Sequence, residues 1–196
     1  MPRRVREWRA TIRASACEAA NFGDNQAMET LQAILTRKVT RKYSRRAVAL
    51  DQLQKLVEAG RHAMSARNRQ PWNFIVVRDA ATLAEIGRVT PNGPFIAEAP
   101  AAIVVLQAKE GRFDAEDCAQ AVQNIANAAW DMGLGTCRPG IANPGRIKEL
   151  LGIPEQWEVY TVMPIGYPDE HEPPQKRPLK KHRETTHYER FGRDRP

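Results

Sequence analysis

Cysteine is scarce in this 196-residue chain, and its three cysteines, Cys17, Cys118 and Cys137, form no CxxC pair. An odd number of widely spaced cysteines argues against a disulfide framework and against a thiolate zinc site. Apolar runs long enough to cross a bilayer are also missing, and the arginine-rich start is not followed by the apolar core of a secretory signal. The composition therefore predicts a soluble, cytoplasmic protein with one domain and a substantial core.

The side-chain patterns that carry covalent or metal chemistry are missing as well. The four histidines are scattered without a ligand spacing such as HExxH, and there is no GxSxG nucleophile elbow. The segment GLGTCRPG, residues 133–140, has the glycine spacing of a nucleotide loop. However, it follows a predicted helix instead of a strand and lacks the Lys and Ser/Thr of a Walker loop. Any difficult chemistry is therefore expected to come from a bound organic cofactor.

Positive charge is abundant, with a formal net charge of +7 and a pI near 9.6. It is concentrated at the ends, with five arginines in the first fifteen residues and five lysines or arginines in a run over residues 176–183. Neither run contains the interleaved aromatic residues of a base-stacking surface, and no recognition helix or zinc-finger spacing is visible. This distribution argues against nucleic acid as a partner and favours anion recognition by a few arginines.

Hydrophobic periodicity predicts alternating helices and strands after a basic tail at residues 1–26, so the folded domain is assigned to residues 27–192. Small residues on one face of the longest helix indicate close packing against a neighbouring helix or a second copy. Beyond Gly166, proline and charge predict an extended tail. One helix is predicted to start at Met28, and four more are predicted over residues 48–64, 80–88, 114–133 and 143–150. The predicted strands span residues 74–77, 101–107, 136–141 and 158–165.

The segment SARNRQPWNFIVV, residues 65–77, joins an amide-rich loop directly to a buried strand. Asn68 and Gln70 each carry a donor and an acceptor, and Pro71 ends any preceding helix. Such a junction can hold amides at the edge of a planar ring. A loop of this composition can equally be structural, because polar loops commonly connect helices to strands.

The segment TRKVTRKY, residues 36–43, places Arg37, Lys38 and Arg41 at the end of the first predicted helix. If that helix persists, Arg37 and Arg41 share one face and could bracket a phosphate. The alternative is that cations at a helix C-terminus simply complement the macrodipole.

Four segments in one order resemble the FMN-dependent nitroreductases, over most of residues 28–192. They are TRKVTRKY, AMSARNRQPWNFIVV, the long helix ending in GLGTC, and LGIPE with MPIGYP and KRPL, and the end HYERFG is similar to the family's tail. The resemblance implies an α+β fold, a nitroreductase-like mixed β-sheet flanked by helices. It also implies an intertwined homodimer with an extended C-terminal tail and with FMN at the subunit interface.

The resemblance also implies which residues hold the cofactor. Arg37 and Arg177 match the positions that bind the FMN phosphate, with Lys176 as a second cation. Lys38 and Val39 match positions that line the ribityl and phosphate region.

The flavin ring is implied to lie between groups from both subunits. Arg41 would approach the pyrimidine edge near N1 and O2, where positive charge stabilises the reduced flavin. Pro139 and Gly140 match a turn whose backbone faces N5, and the Gly140 amide could donate a hydrogen bond to N5. The other subunit would contribute Met64, Ser65, Asn68 and Gln70.

The expected activity is that of an FMN-dependent NAD(P)H oxidoreductase that reduces nitroaromatic, quinone or similar acceptors in two hydride-transfer steps. No catalytic side chain is expected, because flavin N5 is the reactive centre, and neither a metal nor a membrane is implied. Alternatives are reductive dehalogenation or flavin fragmentation on the same fold, and a basic flavin-binding or nucleic-acid-binding protein without turnover.

Four positions differ from the family's usual pattern. Val39 replaces a common serine, whose missing hydroxyl would weaken FMN binding by about 0.5–1.5 kcal/mol. Met64 replaces a proline. Arg138 and Pro139 replace the more common Trp and Ile, which changes the pocket above the flavin.

Overall fold

The computed structural model describes residues 30–141, 143–174 and 178–194. The tail predicted at residues 1–26 and the helix start at Met28 lie outside these ranges. The helices are α1 (Thr30–Thr36), α2 (Leu50–Arg61), α3 (Ala80–Arg88), α4 (Asp114–Asp131), α5 (Pro144–Leu151) and α6 (His182–Thr185), with short 3-10 turns at Ala66–Asn68 and Pro94–Ile96. The strands are β1 (Trp72–Val77), β2 (Ala101–Ala108), β3 (Gly135–Thr136) and β4 (Trp157–Gly166).

The four strands form one sheet in the order β1-β2-β4-β3. All of these strands pair antiparallel, and the one parallel contact among the described residues is a single bridge between Val39 and Thr136. The family resemblance implied a mixed sheet, but β1 to β4 all pair antiparallel. The α+β class is confirmed. Strand β4 has a bulge at Tyr160. Val159 faces Leu106 and Thr161 faces Val105, so Tyr160 is an extra residue between them.

Strand β2 lies at the centre of the core, which explains its unbroken apolar run. Its alternate residues point to two separate hydrophobic clusters, one on each face of the sheet. Helices α2 and α4 cover the first face, and helices α3 and α5 cover the second. The sheet is therefore the middle layer of three.

The small-residue face of α4 packs against α2, as its composition predicts. Ala126 and Ala129 are buried. A Cβ atom built on Gly60 of α2 would lie 2.9 Å from Cδ1 of Ile125. Asn124 Nδ2 also donates to the Ala59 carbonyl at 3.2 Å, so the two helices approach closely along this face.

Most predicted element boundaries agree with the structure within two or three residues. Helix α5 begins where expected, since the Asn143 side chain accepts the Arg146 amide at 3.4 Å. Gly152 ends α5 with a φ of 63°. The strand predicted over residues 136–141 is shorter, because only Gly135–Thr136 pairs with β4.

Helix α1 ends at Thr36, so the condition under which Arg37 and Arg41 would share a helical face is not met. Residues 37–43 are extended instead. Val39 bridges Thr136, and the Thr40 amide donates to the Thr136 carbonyl at 3.0 Å. Backbone partners distant in sequence therefore replace the helical hydrogen bonds.

The described part of the C-terminal region, residues 178–194, contains only the one-turn helix α6. Its apolar side chains are unburied, with Leu179 81% and Phe191 93% exposed. Among the described residues, no helix combines the length and apolar content needed to cross a bilayer.

Candidate functional site

Two of the motifs, residues 37–43 (the cationic segment) and residues 133–140 (the glycine turn), are in direct contact. The Thr40 amide binds the Thr136 carbonyl, which places the cationic segment along β3. A Cβ atom on Gly135 would lie 2.2 Å from Oγ1 of Thr40. Only glycine allows this approach at position 135, and Gly133, with a φ of 71°, follows the end of α4, so the two glycines of GLGT have structural roles and do not form a nucleotide loop.

Tyr43 anchors the other end of the cationic segment. Its ring is buried, and its hydroxyl donates to the Thr40 carbonyl at 2.7 Å. Gly166 lies so close that a Cβ atom there would be 2.8 Å from Cδ1 of Tyr43. Burial raises the pKa of Tyr43 well above its usual range, Cys137 adds to the shift, and Arg41 opposes it. The phenol therefore remains neutral and structural.

A third segment, residues 91–98 (the proline loop), packs against both motifs. The Arg41 guanidinium lies 5.8 Å from the centre of the Phe95 ring. A Cβ atom on Gly93 would lie 3.1 Å from Cβ of Pro139. The proline loop thus holds Arg41 and the glycine turn on one side of the fold.

Asn92 of the proline loop is a site residue that the sequence analysis missed. Its Nδ2 atom lies 3.8 Å from the Cβ position of Gly140, and among the described residues no other atom beyond the chain neighbours comes within 4 Å of that position. The backbone at Gly140 is therefore open on this side, with an amide beside it. The signal in the sequence was PNGPF, an amide in a loop that leads to a buried strand.

Three of the four cations in the cationic segment lack an acidic partner among the described residues. Residues 30–50 contain no acidic residue. Arg37 and Lys38 are half-buried and Arg41 is exposed. In the part of the chain that the structure describes, these three cations have no ion pair within 4.0 Å, whereas Lys42 pairs with Glu98 at 3.6 Å.

Residues 65–70 (the amide loop) have an unusual backbone. Arg67, Asn68 and Gln70 have φ values of 54°, 55° and 49°, in the left-handed region that non-glycine residues rarely adopt. The backbone amide of Gln70 donates to Ser65 Oγ at 3.0 Å. The side-chain Nε2 of Gln70 donates to Asn68 Oδ1 at 2.9 Å. Met64, just before the loop, is 78% exposed. The loop therefore presents two linked amides to solvent.

The amide loop and the cationic segment lie at opposite ends of the sheet. The Pro71 carbonyl, after the loop, accepts the Ala108 amide at 2.9 Å at the end of β2, whereas Gly166 lies against both Tyr43 and Pro100 at the start of β2. The eight residues of β2 span roughly 23 Å. We call the region of the cationic segment, proline loop and glycine turn the glycine end, and that of the amide loop the amide end.

Helix α4 gives an independent measure of the same separation. Asp117 accepts the Ala66 amide of the amide loop at 3.0 Å. Near the other end of α4, Trp130 Nε1 donates to Thr36 Oγ1, directly before the cationic segment, at 3.0 Å. Thirteen residues of helix span about 20 Å. The two sets of predicted cofactor residues cannot surround one ring within a single chain.

The donor set fits a flavin mononucleotide. The glycine end offers guanidinium and ammonium groups for a phosphate, and an open backbone at Gly140 for a ring edge. The amide end offers the carboxamides of Asn68 and Gln70. Lys176 and Arg177, the other two residues predicted for the cofactor, lie outside the described residues.

Comparison with known proteins identifies the class of this fold and site. The family model described as "Nitroreductase family" matches residues 34–92 and 87–167, which together cover more than half of the chain. The chain belongs to the nitroreductase family.

Individual relatives agree with this assignment. A candidate NADH dehydrogenase/NAD(P)H nitroreductase of Methanothermobacter thermautotrophicus is 38% identical over 157 residues, which cover 76% of this chain and 82% of that protein. A crystal structure of a candidate NADH dehydrogenase/NAD(P)H nitroreductase from Parabacteroides distasonis has a TM-score of 0.76 at 33% identity, covering 86% of this chain and 100% of that one. An FMN-dependent nitroreductase from Clostridium difficile has a TM-score of 0.75 at 28% identity, covering 82% and 99%.

Proposed function

We propose that this protein is an FMN-dependent NAD(P)H oxidoreductase that reduces nitroaromatic, quinone or similar acceptors. When bound, FMN would supply the redox chemistry that connects NAD(P)H to the acceptor. The observation that carries the proposal is the glycine end, where uncompensated cations, an open backbone turn and the Asn92 amide lie together. The family membership and the relatives named as NAD(P)H or FMN enzymes support it.

At the glycine end, the residues have separate tasks in this proposal. Arg37 and Lys38 hold the phosphate by charge, together with Lys176 and Arg177. Arg41 faces the pyrimidine edge, where its charge favours the reduced, anionic ring. Its position against Phe95 limits its side-chain motion, so little entropy is lost when it binds.

The glycine turn holds the ring edge that exchanges hydride. The Gly140 backbone is exposed, and Pro139 is buried against Gly93. We infer that the Gly140 amide donates to N5 and that Asn92 binds a neighbouring polar atom of the ring. Arg138, whose guanidinium lies 4.7 Å from the centre of the Tyr160 ring, replaces the aromatic residue common at this position.

The amide loop of one subunit completes the site of the other. Its distance of about 20 Å from the glycine end of its own chain supports this arrangement. We infer a homodimer in which Ser65, Asn68 and Gln70 reach the partner's flavin, with Met64 covering the edge of the site. Each dimer then contains two sites.

The direct test is the absorbance spectrum of the freshly purified protein, followed by anaerobic titration with NADH and with NADPH. We expect a yellow dimer whose flavin absorbance is bleached by at least one nicotinamide and restored by an added quinone. A preparation that stays colourless after incubation with FMN would contradict the proposal. Salt-sensitive DNA binding by such a colourless protein would support the nucleic-acid alternative instead.

The same preparation distinguishes the proposed activity from the alternative reactions expected of this fold. Catalytic turnover of NAD(P)H with a nitroaromatic or quinone acceptor supports the proposal. Release of halide from a halogenated phenol without such turnover indicates reductive dehalogenation, and loss of the flavin itself indicates fragmentation.

A further inference from the structure

Two carboxylates of α4 are almost fully buried. Asp114 is 3% and Asp117 is 4% exposed. A buried carboxylate is costly unless hydrogen-bond donors compensate for the lost water. Asp114 Oδ2 accepts the Gly111 amide at 2.7 Å, within the turn that leads into α4. Asp114 therefore has a local structural role.

Asp117 has a different kind of partner. Its Oδ2 atom accepts the amide of Ala66, a residue of the amide loop that is 51 positions away in sequence. This hydrogen bond joins the loop backbone to α4, which packs against both the sheet and α2. A charge-assisted bond with its acceptor buried is stronger than the exposed contacts inside the loop.

The shape of the loop requires such a tether. Three of its residues have positive φ values, which non-glycine residues adopt only when surrounding contacts impose them. The internal bonds of the loop, from Gln70 to Ser65 and to Asn68, are exposed, so water competes with them. Arg69 of the loop also forms an ion pair with Asp114 at 3.9 Å. Because Arg69 is half-exposed, this pair contributes little to the stability of the loop conformation.

We propose that Asp117 is a positioning residue that holds the amide loop in its strained shape, so that Asn68 and Gln70 are preorganised for the partner's flavin. This inference rests on the proposed function. Asp117 does not touch the cofactor, since it acts through the Ala66 amide. Loss of the tether lets the loop relax, and FMN must then order it on binding.

Two variants remove the tether from its two sides. Asp117→Ala removes the acceptor. Ala66→Pro removes the donor, and the backbone tolerates it because Ala66 begins a 3-10 turn and Ser65 has φ −143° and ψ 149°. Each variant is expected to raise the Kd for FMN roughly tenfold or more. The double variant should bind FMN no more weakly than the weaker single variant, because both changes remove one interaction.

Glu116→Ala is the matched control. Glu116 lies beside Asp117 in the first turn of α4 and is exposed, so this variant removes the same charge without touching the loop. Its Kd for FMN should equal that of the wild type. Hydrogen exchange of the flavin-free dimers provides a second measurement. Residues 65–70 should exchange faster in Asp117→Ala than in Glu116→Ala, while β2 and the rest of α4 exchange alike.

Each outcome decides the proposal. Single variants that bind FMN as tightly as the control, or a double variant whose loss is the product of the single losses, would overturn it. If Asp117→Ala does not fold, Ala66→Pro carries the binding test, since it leaves the core side chains unchanged. Failure of the wild type to bind FMN refutes the proposed function instead, and the exchange measurement still decides whether Asp117 tethers the loop.

Discussion

The two ends of the sheet are held together by different forces. At the glycine end, Gly135 and Gly166 allow Thr40 and Tyr43 to approach so closely that no Cβ atom would fit. At the amide end, a strained loop depends on a hydrogen bond to the buried Asp117. The first end is fixed by packing, which is hard to change by single polar substitutions. The second is fixed by polar contacts, which a single substitution can release.

This difference matches the proposed tasks of the two ends. A phosphate and a ring edge need fixed cations and a fixed backbone, and close packing provides them. The amide loop, in contrast, meets a site on another copy of the chain in the proposed dimer. A loop that is preformed on its own subunit loses little entropy when that meeting occurs.

The largest expected effect comes from mixing two defective subunits. Arg41→Ala disables the glycine end, and the double substitution Asn68→Ala with Gln70→Ala disables the amide end. Each homodimer should bind almost no FMN. A heterodimer has one site with both defects and one site with neither, so it should bind one FMN per dimer. Differently tagged subunits, refolded together and purified through both tags, allow the flavin to be counted.

This experiment tests the sharing of the site directly. If both ends served one flavin within a single chain, every site in the heterodimer would carry one defect, and no flavin would return. Arg45→Ala is the control for Arg41→Ala, because it removes an exposed cation of the same stretch. Its homodimer should retain FMN.

Packing at the glycine end predicts the next largest effect. Gly135→Ala would place a Cβ atom 2.2 Å from Thr40 Oγ1, so the cationic segment must move away from β3. We expect the free energy of unfolding to fall by roughly 1–3 kcal/mol in urea titration. Gly145→Ala is the control, since the nearest atom to its Cβ position, Asn143 Oδ1, is 4.0 Å away. Equal stability of the two variants would show that the glycine end yields without strain.

Sequence patterns predicted the helices and strands well but missed the contacts that join them. The spacing of Leu53 and Leu56 and the caps at Asn143 and Gly152 are local, so α2 and α5 lie where expected. The end of α1 depends on the hydrogen bond from the Thr40 amide to the Thr136 carbonyl. Thr136 is distant in sequence, so the residues around α1 give no sign of this partner.

The candidate site shows the same limit. The amides of the loop are visible in SARNRQPW, and their resemblance to a family motif is specific. Asn92 was missed because its meaning depends on Gly140, a neighbour only after folding. Asp117 looks like an ordinary acidic residue in the first turn of a helix, where a negative charge suits the dipole. Only the structure shows that its partner is the amide loop.

Alkaline pH tests the amide end. Burial raises the pKa of Cys118 to about 12, and the carboxylates of Asp114 and Asp117 contribute. An unfolded thiol titrates near pH ~8.5. Between these values the folded chain keeps a proton that the unfolded chain has lost, so stability falls with rising pH by up to about 1.4 kcal/mol per unit.

Urea titrations of the wild type and of Cys118→Ala between pH 8.5 and 10.5 measure this effect. The variant should lose stability less steeply as pH rises. Tyr43, whose pKa is also raised, is present in both proteins and cancels in the difference. Parallel curves would show that Cys118 titrates normally and that the amide end admits water.

The smallest expected effect is on FMN affinity and comes from Val39, which stands where the family commonly has the hydroxyl of a serine. Val39 is half-buried, and its backbone bridges Thr136, so its side chain can change without breaking the contact with β3. Val39→Ser adds a donor beside the proposed phosphate site and should tighten FMN binding by about 0.5–1.5 kcal/mol, a twofold to tenfold lower Kd. Val39→Ala shortens the side chain without adding a hydroxyl and should not tighten binding. If fluorescence titration gives both variants the same Kd, the phosphate does not lie against residue 39 and is held by the cations alone.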